Sequence, residues 1–199
     1  ENDSYISELI RQDSIDDFII YINQNNISLS SLIEQSIFET NLFLLKNKKV
    51  SLIEYAAFYG SIQIFKYLEI NKVELKPSLW LYAIHSRNPE IIAFLEEKNN
   101  EKTDTETKFK WLKEAIKCHH NDIANYIINQ SDLTQFNSKF CNFCFHYYNY
   151  DMISEEFEKN AIIENAIRYD HVSLFEFLFN QNQIELELQI IFIFTYQII

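Results

Sequence analysis

Hydrophobic positions recur along the chain in one frame that combines a small residue with three large apolar ones. Ala56 is followed at +8, +9 and +12 by Ile64, Phe65 and Leu68. The last three positions share one stripe of a helix. Because a turn signal at Gly60 separates this stripe from the residues around Ala56, the frame predicts a helix, a short turn and a second helix.

The same frame returns in three further places and, more weakly, near the start of the chain. The copies are Ala83 with Ile91, Ile92 and Leu95, Ala115 with Ile123, Ala124 and Ile127, Ala166 with Leu174, Phe175 and Leu178, and Ile10 with Phe18, Ile19 and Ile22. Self-similarity of this kind is the signature of a repeat array, in which small residues allow neighbouring helices to approach.

The spacing of the copies predicts one repeat domain over residues 1–199. The predicted repeats cover about 5–28, 50–74, 77–99, 108–132 and 160–182, with an irregular helical piece at 29–45. The long interval after Ala115 predicts a degenerate repeat at 137–158 with Cys144 as its small residue. Residues 184–199 form an atypical apolar tail that is a truncated repeat, a packed cap or an association segment.

The predicted turn lies four residues after each alanine, at Gly60, Arg87, His119 and Asp170. Glycine adopts positive φ without steric cost, whereas other residues do so with strain. Either the three non-glycine turns are strained or they have changed type, and the backbone angles distinguish the two.

Composition and charge exclude several classes of function. One Gly and two Pro in 199 residues exclude the glycine-rich loops of Rossmann and P-loop enzymes. A net charge of -12 disfavours nucleic acid as a partner. No apolar run approaches the roughly 18 residues of a membrane span. The three cysteines argue against a disulfide framework and for a reducing, cytoplasmic compartment. A start at Glu1 without Met indicates a fragment or a trimmed chain.

Two segments carry a family likeness. Ser51-Leu-Ile-Glu-Tyr-Ala-Ala-Phe-Tyr-Gly60 resembles the ankyrin-repeat signature T-P-L-H-x-A-A-x-x-G, and Ile64-Phe65 with Leu68 resembles the V-V-x-x-L that follows it. Asn88-Pro-Glu-Ile-Ile-x-x-Leu95 is a second match. The resemblance covers about residues 5–180 and is closest to divergent ankyrin-like proteins of unassigned function, which are expanded in AT-rich protist genomes.

This resemblance implies an all-α, ankyrin-like solenoid of stacked helix-turn-helix repeats. The family's motif histidine is replaced by Glu54 and Leu81, and the interval between Ala56 and Ala83 is only 27 residues. The β-hairpin loops between repeats are therefore expected to be abbreviated or absent.

The chain offers little chemistry for catalysis or metal binding. Cys141, Cys144 and His146, with Cys118 upstream, are the zinc-type ligands that come closest to a site, but their spacing matches no common zinc finger. No Cys–His pair is singled out as a nucleophile and base. We therefore predict no enzyme, no cofactor, no metal and no catalytic residues, with a Cys/His metal protein kept as an alternative.

The residues predicted to bind a partner lie on the first helices, away from the alanine stripe, on the concave face of the solenoid. They are Tyr55, Tyr59, Tyr82, Glu114, Lys117, Asn165 and Arg168. The predicted function is a protein-interaction scaffold whose acidic charge favours a basic protein partner. Two alternatives stay open: the tyrosines simply cap the core, or the chain is a structural spacer. The oligomeric state is also open.

Overall fold

The computed structural model describes residues 4–34, 36–47, 49–98, 103–130, 137–153 and 159–174. Within these ranges nearly all regular structure is helical, in agreement with the all-α prediction. The chain divides into two compact units, Glu1–Asp104 and Thr105–Ile199. The apolar tail 184–199 and residues 175–182 of the last predicted repeat lie outside the described residues.

The described residues of unit 1 form three helix pairs and one irregular segment. The pairs are α1 (Tyr5–Arg11) with α2 (Ile15–Gln24), α4 (Leu52–Tyr59) with α5 (Ile62–Ile70), and α6 (Leu79–Ser86) with α7 (Pro89–Lys98). The irregular segment contains α3 (Leu42–Lys46) between two short strands, β1 (Leu32–Ile33) and β2 (Val50–Ser51). The strands are antiparallel, with Leu32 opposite Ser51 and Ile33 opposite Val50.

The helices of unit 1 form two layers. The first helices of the pairs contact one another in the order α1, α4, α6, and the second helices in the order α2, α5, α7. Ala56, Ala57 and Ala83 are fully buried between the first helices. Ile64, Phe65 and Leu68 are equally buried on the second layer. The small residues allow close helix approach, and the large ones fill the space between the layers.

Local capping explains why several of these helices begin where they do. The Ser51 hydroxyl accepts from the backbone N–H of Glu54 while the Glu54 carboxylate accepts from that of Ser51, which forms a capping box on α4. In the next pair, the Asn88 side chain accepts from the N–H of Glu90 at 2.9 Å, with Pro89 at the first position of α7.

Among the described residues, unit 2 repeats the paired arrangement, with a 3-10 turn in place of the second helix of its second pair. Its elements are α8 (Thr105–Lys117), α9 (Asn121–Asn129), α10 (Asn137–His146), a 3-10 turn at Tyr150–Met152 and α11 (Lys159–Arg168), followed by helical residues 172–174. The first helices again contact one another, α8 with α10 and α10 with α11. Around α10 and α11 the core consists of Cys141, Phe145, Ile163 and Ala166.

Every turn between paired helices has a residue in the left-handed region. The four residues at the predicted turn positions, Gly60, Arg87, His119 and Asp170, have φ of 75°, 54°, 57° and 60°. Asp13 (51°) and Tyr148 (57°) occupy the corresponding places in the first pair and after α10. The turn type is therefore retained where glycine is missing, at a cost of about 1 kcal/mol for each non-glycine residue.

Five of these turns are closed by the same backbone hydrogen bond. The residue after the left-handed position donates to the carbonyl five residues earlier, as Ser61 does to Ala56 at 2.9 Å. The other four bonds join Ser14 to Leu9, His120 to Ala115, Asn149 to Cys144 and His171 to Ala166. The turn at Arg87 differs, because the N–H of Asn88 donates to the Ser86 hydroxyl.

The turn bond corrects the frame of the first repeat by one residue. Ser14 bonds to Leu9, so Leu9 rather than Ile10 corresponds to Ala56. Ile22 still corresponds to Leu68, because both accept the bond that ends the second helix, from Ile27 and Val73. Helix α2 has ten residues and α5 has nine, and this additional residue accounts for the shift.

Candidate functional site

Two of the tyrosines predicted to bind a partner are buried in unit 1. Tyr55 is 2% exposed and Tyr82 is 4% exposed. The guanidinium of Arg11 donates to the Tyr55 hydroxyl at 3.1 Å, so this side chain is held by the neighbouring helix pair. Neither tyrosine belongs to the exposed aromatic patch that the sequence pattern predicted, and the core-capping alternative describes their environment.

Helix α3, from the piece predicted to be irregular, covers the first helices here. The ring of Phe43 lies 4.9 Å from that of Tyr82 and 6.0 Å from that of Phe58, and it is 4.3 Å from the imidazole of His85. The sequence frame contains no signal for this contact, since Phe43 belongs to no repeat. Helix α3 therefore occupies part of the surface on which the sequence pattern predicts a partner.

Tyr59 lies half-buried beside Tyr55, with ring centroids 4.7 Å apart. Burial raises the pKa of Tyr59 well above its ordinary value, and the hydrogen bond to Tyr55 and the charge of Glu39 act in the same direction. Burial also raises the pKa of Tyr82, with a smaller contribution from Glu54. Both phenols stay protonated at neutral pH, so neither provides a base.

The predicted residues of unit 2 serve mainly local contacts. Glu114 and Lys117 form an ion pair at 2.6 Å on one face of α8. Asn165 is buried, and its side chain donates to the Ala161 carbonyl at 2.7 Å and accepts from Asn142 at 3.0 Å. Only Arg168 is exposed. The set therefore includes three residues of unit 1 and four of unit 2, most of them engaged within their own unit.

The zinc-type residues do not form a site. No three of Cys118, Cys141, Cys144 and His146 bring their ligating atoms within 4.8 Å of one another. Burial raises the pKa of Cys141 to about 11 and that of Cys144 to about 12. The pKa of Cys118 is about 11, raised by burial and by the charge of Glu114. These thiols are protonated at neutral pH, which is the opposite of an activated nucleophile.

Two neighbouring exposed apolar side chains of unit 1 lie in a turn that the sequence pattern did not single out, and one of them, Ile37, is the most exposed large apolar residue among the described residues. Ile37 is 91% exposed and Phe38 is 59% exposed. They are the central residues of a tight turn in which the N–H of Glu39 donates to the Ser36 carbonyl at 3.1 Å and the N–H of Phe38 to the Ser36 hydroxyl. We call Ile37 and Phe38 the apolar turn. The sequence pattern contains no turn signal at these two positions, because Gly, Asn, Asp or Pro usually occupies them.

The fold and these sites define a protein of paired helices with left-handed turns. Comparison of the chain with protein-family models, with curated proteins and with solved structures gives no match. Within the described residues, none of the helices has both the length and the apolar character needed to cross a membrane.

Proposed function

We propose that this chain is a non-enzymatic protein-interaction scaffold, built as an ankyrin-like solenoid, that binds a protein partner through the apolar turn. The single observation that carries the binding proposal is the exposure of Ile37 and Phe38 at the centre of an ordered turn. Burying two large apolar side chains against a partner releases roughly 25 cal/mol per Å² of apolar surface.

The solenoid proposal rests on hydrogen bonds that join equivalent positions of neighbouring helix pairs. Ser61, Asn149 and His171 each follow a left-handed turn residue, and each side chain bonds to a carbonyl of the preceding pair. The acceptors are the carbonyls of Ile10, Ile116 and Phe145. Each acceptor follows the residue whose carbonyl closes the turn of its own pair. Such repetition is expected when identical structural repeats stack in one direction.

The alternatives have less support. A structural spacer predicts a uniformly polar surface, whereas Ile37 and Leu42 are both strongly exposed on one short segment. An enzyme that used a cysteine nucleophile would need a lowered thiol pKa, and burial raises it at all three cysteines. Of the seven residues predicted to bind a partner on the concave face, only Arg168 is exposed.

The test is partner capture with matched variants of the full chain. The immobilised wild type is compared with the double variant Ile37→Ser, Phe38→Ser and with the control Ile70→Ser. Ile70 is 73% exposed at the end of α5, so the control removes similar apolar surface elsewhere. Circular dichroism verifies that all variants are folded.

We expect the partner to be lost from the double variant and retained by the control, with binding confirmed between purified proteins. Equal capture by all three proteins would exclude the apolar turn as the contact. An Arg168→Gln variant tests the concave face separately. Loss of the partner from this variant alone would favour the concave helix face over the apolar turn as the binding surface. If added salt leaves a confirmed complex unchanged, the expectation of a basic partner is wrong.

A further inference from the structure

Unit 2 contains an open cleft of about 710 Å³ beside its last described turn. Ile153, Ile162 and Leu174 provide apolar walls, and Tyr150, Asp170 and His171 provide the polar groups. The volume falls in the range typical of ligand sites, and a few polar groups in a largely apolar lining are their usual composition.

Two residues that line this cleft, Tyr150 and His171, belong to an aromatic cluster that also contains Tyr148. The ring of Tyr150 lies 5.3 Å from the imidazole of His171, and the exposed ring of Tyr148 lies 5.0 Å from the same imidazole. Tyr148 holds a left-handed φ of 57°, a conformation that is strained for a bulky aromatic residue. Strain of this kind persists only where surrounding contacts fix the conformation.

Hydrogen bonds fix the imidazole at the base of the cleft. The Nε2 atom of His171 lies 3.2 Å from the carbonyl oxygen of Phe145, which can only accept, so Nε2 donates. In the neutral ring Nδ1 is then the acceptor, and it bonds to the Tyr150 hydroxyl. The two rings are held together, and the Tyr150 side chain remains partly exposed to solvent.

The charge around the cleft is negative. Asp170 lines it and is exposed, and Asp151, next to Tyr150 in the sequence, is exposed as well. Among the described residues that line the cleft there is no lysine or arginine. The chain as a whole carries a net charge of -12. A cationic ligand is therefore favoured over an anionic one.

From this combination we infer that the cleft binds an arginine or lysine side chain of a peptide whose neighbouring residues are apolar. The aliphatic stem would lie on the Ile153 and Ile162 walls, while the cationic head would meet the Tyr150 ring and the Asp170 carboxylate. Aromatic faces attract such cations, and a carboxylate adds a charge-assisted hydrogen bond. The site is separate from the apolar turn, which belongs to unit 1.

The experiment titrates the full chain with a capped Leu-Arg-Leu tripeptide and with its counterpart that has norleucine in place of arginine. NMR signals of the Ile162 and Val172 methyl groups report occupancy of the cleft. Asp170→Asn removes the charge and keeps a side chain that tolerates the left-handed conformation. Glu164→Gln is the control, since Glu164 is an exposed acid on α11 that does not line the cleft.

We expect the arginine peptide to bind about threefold to tenfold more weakly to Asp170→Asn and unchanged to Glu164→Gln. The norleucine peptide should bind about tenfold more weakly than the arginine peptide to the wild type. Equal binding of the two peptides, or an unchanged affinity in Asp170→Asn, would overturn the inference. These peptides are defined probes, so a failed titration contradicts only the inference about the cleft. The partner-capture test of the apolar turn is decided separately.

Discussion

The carboxylate of Asp13 accepts a hydrogen bond from the backbone N–H of Ile64, 51 residues further along the chain, at 3.0 Å. It also accepts from the N–H of Gln63 at 3.0 Å, so the turn of the first helix pair caps α5 in the second pair. Uncapped N–H groups at a helix start cost stability. The side chain of a left-handed turn residue here joins two neighbouring helix pairs.

Replacement of Asp13 should therefore weaken unit 1. Asp13→Ala removes the cap and places alanine at φ 51°, so we expect a loss of about 2 kcal/mol in the free energy of unfolding. Asp13→Asn keeps one acceptor and tolerates the conformation, so its loss should be about half as large. Urea denaturation measures both, with Asp16→Ala as a control that removes a nearby exposed acid. Similar midpoints for Asp13→Ala and the control would show that the cap contributes nothing.

Gly60 and Arg87 should respond to substitution with opposite signs. Gly60 has φ 75°, and a Cβ added there would lie 3.3 Å from the Cβ of Ser86, so Gly60→Ala should cost about 1–2 kcal/mol. Arg87→Gly removes a side chain from the same backbone conformation and should increase stability by about 0.5–1 kcal/mol. Thermal unfolding of the two variants checks the signs. A more stable Gly60→Ala would contradict the strain argument.

Asn149 is the expected weak point of unit 2. It is buried, and its Nδ2 donates to the Ile116 carbonyl at 3.0 Å and to the Asn121 side chain at 2.8 Å. Asn149→Leu leaves both acceptors without this donor, so we expect a loss of about 2–3 kcal/mol. Hydrogen exchange should accelerate in residues 137–153, while residues 52–70 of unit 1 provide an internal reference. Unchanged exchange in both ranges would mean that the bond to Ile116 does not stabilise the unit.

Alkaline pH should destabilise the protein. The pKa of Cys144 is raised by burial from 9.0 to about 12, so the folded thiol stays protonated where the unfolded thiol ionises. Above about pH 9 the unfolded state binds fewer protons, and stability falls as the pH rises towards 12. Urea midpoints at pH 8 and pH 10 measure this loss, and Cys144→Ala should reduce the difference between them. A difference of the same size in the variant would assign the effect to other groups.

The residue pattern predicted the turns better than it predicted the exposed surface. An alanine followed by a turn four residues later is a local rule. It located four left-handed residues, which are Gly60, Arg87, His119 and Asp170. It failed by one residue at Asp13, because the extra residue of α2 shifts one helix of the pair relative to the other. Helical period reports only which positions share a face.

The burial of Tyr82 could not be derived from the same pattern. Phe43, which packs against Tyr82, belongs to a five-residue helix outside every repeat, and such a short element has no period to detect. The exposure of Ile37 could not be derived from the pattern either. An apolar residue in a turn is exposed only when no other part of the protein covers it, and the spacing of hydrophobic residues does not report this. The cleft beside His171 requires Tyr150 and Asp170 to meet, and their separation in the sequence gives no indication of this.

The left-handed turns also mean that this protein has a reserve of stability that protein engineering could use. Arg87, His119, Tyr148 and Asp170 each hold a conformation that glycine adopts without steric strain. Each can be exchanged alone, and the gains at distant turns should add. Scarcity of glycine in this chain is thus a margin of about 0.5–1 kcal/mol per turn that thermostable variants could recover without altering the core.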